Sequence, residues 1–300
     1  MRVQEKKLVV IVGPTASGKT ALAIDLALRW NTEIISADSR QIYKELEIGT
    51  AKPTDQELTL VKHHFINTHS VEEVYNAAQF GMDAEALILN LFQKHDYLLV
   101  CGGSGLYVKA LLEGFDEMPE VPAEVRNQIV AQYQEKGLGW LQAEVKQKDP
   151  NYFETVDIQN PQRLMRALEV FAATGKPFSA WRKKSKKTLP YSVIKVGLDL
   201  NRDKLYERID ARMDKMIVNG LFEEAAKFYP QKHLNALQTV GYQEIFGFMD
   251  DLYDKEEAIR LLKRNSRHYA KRQLTWFKRD AEVQWFQSSD AARDFCLGNS

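Results

Sequence analysis

The sequence predicts an α/β fold, a parallel sheet with helices on both faces and a helical insertion. Three observations carry this prediction. Apolar runs of strand length alternate with helical patterns from Leu8 to Cys101. The first run leads directly into Gly13-Pro14-Thr15-Ala16-Ser17-Gly18-Lys19-Thr20, which fits the phosphate-binding pattern G-x-x-x-x-G-K-[ST] at every fixed position. The stretch from Ala123 to about Arg182 is helical in pattern, with no convincing strand.

Each element follows in order. Leu8-Val9-Val10-Ile11-Val12 is continuously apolar, as a strand covered on both faces must be. Ala21-Leu22-Ala23-Ile24-Asp25-Leu26-Ala27 is the helix after the loop. Between them, glycine lets the backbone curl so that successive N–H groups point at phosphate oxygens. The helix N-terminus adds partial positive charge at the same place. Lys19 supplies a full charge, and Thr20 can ligate a phosphate-bound magnesium. Glu33-Ile34-Ile35-Ser36 is a second strand. Tyr97-Leu98-Leu99-Val100-Cys101 is a third, running into the turn Gly102-Gly103-Ser104-Gly105 and a helix from Leu106. Gly114 to Pro122 has the composition of a linker. Gln159-Asn160-Pro161 opens a helix with Pro161 in its first turn, and Gly175 and Pro177 end it. Ser192 to Leu200 returns to strand, a helix runs from Arg202 to Val218 and stops at Gly220, and Glu256 to Phe277 is a last long helix. The expected organisation is a catalytic core of residues 1–115 and 191–300, of the P-loop NTPase-like kind, with a helical insertion at residues 116–190.

Composition narrows the function. A hydrophobic fraction of 44% is enough for a real core, and no uncharged apolar run is long enough to span a membrane. The N-terminus enters the first strand too soon for a signal peptide. Two cysteines, Cys101 and Cys296, argue against a disulfide framework and a C-x-x-C zinc site, so a cytoplasmic location is expected. No strong interface pattern stands out, which makes a monomer the default. Formal net charge is zero, from 41 basic and 41 acidic residues. The distribution is uneven. Arg260 to Arg279 holds Arg260, Lys263, Arg264, Arg267, Lys271, Arg272, Lys278 and Arg279 with no acid among them, and Arg182 to Lys187 is a second basic run. Local clustering sets local potential, so a nucleic-acid partner fits a neutral chain of this kind.

Several residues could do chemistry. Asp38 follows the second strand, and the carboxyl ends of strands line the ligand crevice in an open parallel sheet. A carboxylate there can take a proton from a nucleophile or hold magnesium through water; it can also be a simple turn residue. Phosphate-loop hydrolases carry an Asp at the end of a strand beside the loop, whereas the most apolar strand here ends in Cys101-Gly102-Gly103. That favours a transferase or kinase over a motor or switch. The Gly102–Gly105 turn suits close approach of backbone to a ligand, or a tight structural turn. Arg208 and Arg212 share a helix face and could clamp a leaving pyrophosphate, or pair with Glu207, Asp210 or Asp214. Arg264, Arg267, Lys271 and Arg272 recur at helical spacing and could track a nucleic-acid backbone. His63-His64 lacks partners at metal-ligand spacing and has no assigned role.

Taken together, these residues resemble a known family. The phosphate loop, Asp38-Ser39, Ile48-Gly49-Thr50-Ala51-Lys52-Pro53, Gly102-Gly103-Ser104-Gly105-Leu106-Tyr107, Asn160-Pro161-Gln162-Arg163, Val240-Gly241-Tyr242 and Ala270-Lys271-Arg272-Gln273-Leu274-Thr275-Trp276 occur in the order seen in bacterial tRNA dimethylallyltransferases. The resemblance implies transfer of a dimethylallyl group from dimethylallyl diphosphate to N6 of the adenosine 3′-adjacent to the anticodon, in tRNAs reading codons that begin with U, with release of diphosphate. Gly13 to Thr20 would then grip the donor's diphosphate, with Mg2+ at Thr20 as cofactor. Lys19, Thr20 and Arg208 or Arg212 would stabilise the leaving group, and Asp38 would be the general base. Contacts to the tRNA anticodon stem-loop would fall on Asp38, Ser39, Arg40, Gln41, Ser104, Arg126, Gln159, Asn160, Pro161, Gln162, Arg163, Gly241 and Tyr242, besides Arg267 and Lys271 of the basic helix. The target base would leave its stack to enter a tunnel in the core. Ser104 stands where many members have Thr; eukaryotic relatives often carry a C-terminal zinc finger, and with only Cys296 near Ser300 the chain looks like the short bacterial form. An adenylate isopentenyltransferase acting on free nucleotide, or a P-loop small-molecule kinase, would use the same loop. A non-catalytic RNA-binding protein would need neither the loop nor Asp38.

Overall fold

The computed structural model describes residues 5–182 and 187–299. The basic run at Lys183 to Lys186 lies outside them. Among the described residues the strands are β1 (Lys7–Val12), β2 (Ile34–Ser36), β3 (His63–His64), β4 (Tyr97–Cys101), β5 (Ser192–Leu198) and β6 (Gln284–Phe286). The helices are α1 (Lys19–Trp30), α2 (Asp55–Leu60), α3 (Ala77–Leu91), α4 (Gly105–Glu113), α5 (Ala123–Lys148), α6 (Pro150–Phe153), α7 (Pro161–Thr174), α8 (Arg202–Val218), α9 (Leu221–Phe228), α10 (Tyr242–Met249), α11 (Lys255–Phe277) and α12 (Ser289–Gly298). Contacts divide the chain into two compact units, residues 1–113 with 188–300 and residues 114–187.

The larger unit is built on one sheet in the order β3-β2-β4-β1-β5-β6, with every pair parallel. β1 lies between β4 and β5, with Ile11 opposite Cys101 and Val196. Because side chains alternate along a strand, β1 feeds two cores. Leu8, Val10 and Val12 join Phe80, Ala84 and Ile88 of α3 and Tyr107 and Leu111 of α4. Val9 and Ile11 join Leu22, Leu26 and Ala27 of α1 and Ala292 and Cys296 of α12. The phosphate loop, the segment after β2 and the turn after β4 all leave the sheet at its carboxyl edge. A third core beside that edge packs Ile42, Tyr43 and Leu46 against Met213, Met216, Leu221, Tyr242, Ile245 and Leu262.

The smaller unit is helical. α5 and α7 pack through Ile129, Leu141, Val145, Leu164, Met165 and Leu168. α5 is not one continuous helix, since Gly137 at φ 74°, ψ −172° breaks it. Asn160 caps α7 by accepting from Arg163 N, Pro161 takes the first turn, and Gly175 ends the helix in left-handed conformation. The side chain of Asp149 is buried and accepts from Tyr152 N, Ser179 N and Ser179 Oγ, which ties α6 to the segment after α7.

The strand predicted over Ser192 to Leu200 stops at Leu198, and Asn201 then caps α8 by accepting from Asp203 N and Lys204 N. The edge strands β3 and β6 were not predicted, having two and three residues.

Candidate active site

The phosphate loop closes over its own backbone. Gly13 (φ 142°) and Gly18 (φ 94°) take conformations that favour glycine, and a Cβ on Gly13 would lie 2.7 Å from Leu198 O. Lys19 Nζ donates to Pro14 O at 2.5 Å. Desolvation lowers its pKa from 10.5 to about 8, with Arg212 pushing the same way and Cys101 and Asp38 opposing. The Arg212 guanidinium donates to Thr15 Oγ1 at 3.2 Å, and its own pKa is lowered by burial against the pull of Asp38. Arg208 is exposed, but its Nη1 lies 4.0 Å from the position a Cβ on Gly18 would take. Both arginines therefore turn toward the loop, and Arg212 is the one that lines the cavity in front of it.

That cavity, of about 320 Å3, also brings in Thr20 and Asp38. Asp38 Oδ1 accepts from Arg40 N at 2.9 Å and Gln41 N at 3.3 Å. It is thus a turn residue through one oxygen, which leaves Oδ2 for chemistry. Ser104 Oγ accepts from Ser39 N at 2.9 Å and donates to Ser39 Oγ at 3.1 Å, so it steadies the segment after Asp38. Arg40 donates to Asn235 O, and Gln41 to Thr50 O and Ala51 O. β4, beside the loop's own strand, ends in Cys101, whose buried thiol has its pKa raised to about 11 by desolvation. Asp38 is one strand further on.

The glycine turn after β4 makes room for protein atoms. A Cβ on Gly102 would meet Ala37 O at 2.1 Å. One on Gly103 would meet Gln273 Nε2 at 2.2 Å, and one on Gly105 would meet Trp276 Nε1 at 2.1 Å. The backbone after β2 crowds Gly102, and α11 crowds Gly103 and Gly105, so a side chain at any of the three would force its neighbours to shift. On the other side of the turn is a second cavity, of about 420 Å3, lined by Ser39, Tyr43, Tyr107, Arg272 and Trp276 among others. The two cavities share Arg40, Gly103, Tyr269 and Gln273. Sequence reasoning gave Gln273 and Tyr269 no role in the site, Tyr269 being read only as an inward-facing residue of the helix. For Gln273 the signal was its place in the Ala270–Trp276 motif, and for both residues their helical register.

Tyr242 is a correction. Expected at the tRNA surface, it is wholly buried, and its hydroxyl donates to Glu224 Oε1 at 2.6 Å. Its ring occupies the space of a Cβ on Gly49, at 2.5 Å. The Glu224 carboxylate also accepts from the N–H groups of Glu47, Ile48 and Gly49 at 2.8 to 3.0 Å. The Ile48–Pro53 and Val240–Tyr242 motifs are therefore two halves of one support beneath the cavity wall, where Gly49, Thr50, Ala51, Val240 and Gly241 lie.

The basic helix also differs from expectation. α8 brings acids that the linear sequence kept apart. Arg267 Nη1 donates to both oxygens of Asp210 at 2.6 and 2.7 Å, and Lys263 pairs with Asp214 at 2.6 Å. Lys271 and Arg272 remain exposed, with the Arg272 guanidinium 5.8 Å from the Tyr269 ring centre. In the helical unit, Arg126, Gln159, Gln162 and Arg163 are exposed at the surface. Arg126 and Arg166 both approach Glu169, at 3.9 and 3.4 Å.

A parallel α/β sheet with a phosphate loop, a carboxylate at the next acidic strand end and two arginines over the loop defines a P-loop-type group-transfer fold. The sequence matches the family model described as IPP transferase over residues 41–280. It is 52% identical to a tRNA dimethylallyltransferase of Cytophaga hutchinsonii, covering 95% of this chain and 94% of that one. It is 47% identical to a tRNA dimethylallyltransferase of Christiangramia forsetii, covering 96% and 95%. Among solved structures, the full-length tRNA isopentenylpyrophosphate transferase of Bacillus halodurans superposes with a TM-score of 0.72 at 36% identity, covering 98% of this chain and 96% of that one. The chain belongs to the IPP transferase family.

Proposed function

We propose that the protein transfers a dimethylallyl group from dimethylallyl diphosphate to N6 of the adenosine 3′-adjacent to the anticodon, in tRNAs that read codons beginning with U. The observation that carries this reading is the junction of two cavities. One holds the phosphate loop, Arg212 and Asp38, and the other is lined by aromatic rings of the size and polarity that suit a flipped base. The donor's diphosphate lies in the loop against Lys19 and Arg212. The target adenine enters along Tyr43, Tyr107 and Trp276. The N6 lone pair attacks C1 of the prenyl group, the C1–O bond breaks, and its electron pair leaves on the diphosphate. The proton on N6 passes to Asp38 Oδ2. Adenine's amino group is a weak nucleophile, so holding C1 and N6 in contact supplies much of the rate.

The loop also suits a magnesium ion held mainly by substrate. Thr20 lines the cavity beside Lys19, and magnesium needs few protein ligands where phosphates supply oxygens. Thr20 would hold it, and the bound ion would draw negative charge from the departing diphosphate. In this proposal Ser39, Arg40, Lys271 and Arg272 meet the tRNA beside the second cavity. Arg126 and residues 159–163 of the helical unit contact the same RNA. The enzyme acts as a monomer in the cytoplasm. No helix among the described residues is long and apolar enough to cross a membrane.

The test is to supply labelled dimethylallyl diphosphate and magnesium with either unmodified tRNA or AMP. Label in tRNA is expected. Label only in AMP would make the protein an adenylate isopentenyltransferase, and ATP-dependent phosphorylation of a small molecule would make it a kinase.

A further inference from the structure

We propose that Gln273 is a positioning residue that fixes the point where donor and acceptor meet. The inference rests on the transfer reaction above. Gln273 lies on α11 and is 7% exposed. Its Oε1 accepts from Thr15 N at 2.8 Å, and its Nε2 donates to Gly103 O at 3.0 Å. The amide therefore has one orientation, because turning it over would set donor against donor and acceptor against acceptor. Gly103 has no Cβ to obstruct it, since such an atom would lie 2.2 Å from Nε2.

This side chain belongs to the walls of both cavities. On one side it ties back a backbone N–H of the phosphate loop, a group that would otherwise be aimed at phosphate. Gln273 thus helps decide which loop N–H groups serve the diphosphate and how the loop mouth is set. On the other side it holds the turn that carries Gly103 and Ser104, along which the acceptor base enters. The prenyl C1 is placed by the loop and N6 by the turn, and one amide spans the two. An error of about 1 Å in such a placement costs on the order of a hundredfold in rate with little effect on binding.

The test compares three variants with wild type. Gln273→Met keeps the length of the side chain and removes both hydrogen bonds. Its kcat for transfer to tRNA is expected to fall roughly 10- to 100-fold, while tRNA affinity and inorganic diphosphate affinity stay within about threefold. Gln273→Glu can still accept from Thr15 N but cannot donate to Gly103 O, and it adds a negative charge near the diphosphate. Its donor KM is expected to rise along with the loss in kcat. Gln273→Asn keeps an amide too short to span both partners. It should lose kcat as the Met variant does, which covers the case in which the Met variant does not fold. A kcat within threefold of wild type in a folded Met or Asn variant would overturn the proposal. So would a loss of kcat that merely follows the folded fraction measured by melting. Failure of wild type to prenylate tRNA at all would instead overturn the reaction on which the inference rests.

Discussion

Replacing Lys19 by Met should make the protein more stable and inactive. Lys19 titrates near 8 in the folded protein against an ordinary value of 10.5, because the loop strips water from its ammonium. A difference of about 2.5 units corresponds to on the order of 3 kcal/mol charged against the folded state. The sign follows from proton binding. Between pH 8 and 10.5 the unfolded chain holds a proton on Lys19 that the folded chain has shed, so wild-type stability rises with pH across that window. Below pH 8 the destabilisation is present in full. Lys19→Met removes it, but also removes the hydrogen bond to Pro14 O, worth about 1 kcal/mol. The net expectation at pH 7 is a gain of roughly 2 kcal/mol, or a rise of about 4 °C in Tm. The assay is thermal melting of both proteins from pH 7 to pH 10, with and without inorganic diphosphate. The gain should shrink as pH rises, and diphosphate should stabilise wild type far more than the variant. A variant less stable than wild type at pH 7, or a gain independent of pH, would refute the reasoning. In the wild type, kcat/KM for the donor should decline above about pH 8 as the free enzyme's lysine loses its charge.

Asp38→Asn keeps the acceptor for Arg40 N but cannot take a proton; single-turnover transfer should fall by about 10²- to 10⁴-fold with tRNA affinity nearly unchanged, and a large loss of binding would reject the general-base role. Tyr242→Phe leaves Glu224 with three of its four donors, so melting should show a loss of about 1–2 kcal/mol while tRNA affinity holds, since the ring is buried beneath the cavity wall. Lys271→Ala should lower the slope of log tRNA affinity against log salt by close to 1, whereas Arg267→Ala should act mainly on stability by stranding Asp210; equal slopes for wild type and Lys271→Ala would take that lysine out of the interface.

Elements that announce themselves within a few residues were legible in the sequence. Leu8 to Val12 of β1 is an unbroken apolar run beside a glycine-spaced loop, and α11 is legible as a long helix, though its buried face of Leu262, Ser266, Ala270, Gln273 and Phe277 is too mixed in polarity to be read from the sequence. β3 and β6 are too short to show a period and exist because longer neighbours supply their partners. What could not be read was long-range pairing. Nothing local tells that Glu224 caps the loop at 47–49, that Asp210 meets Arg267, or that Gly103 and Gly105 are cleared for side chains on α11. Of the eight bases from Arg260 to Arg279, Lys263 and Arg267 pair with acids on α8, Arg260 with Glu257 of its own helix and Lys278 with Asp199, pairings that the base-only run hides. In the same way, Tyr242 was taken for a surface contact because motif position says nothing of burial.

The central claim is that the loop grips a leaving group and that the carbon chain is what moves. A donor carrying carbon label at C1 and phosphorus label in its diphosphate tests this directly. The account predicts that the carbon label enters tRNA at N6 of the adenosine beside the anticodon while the phosphorus label appears in free diphosphate in equal amount. Phosphorus label on the acceptor, or diphosphate release without carbon transfer, would contradict it.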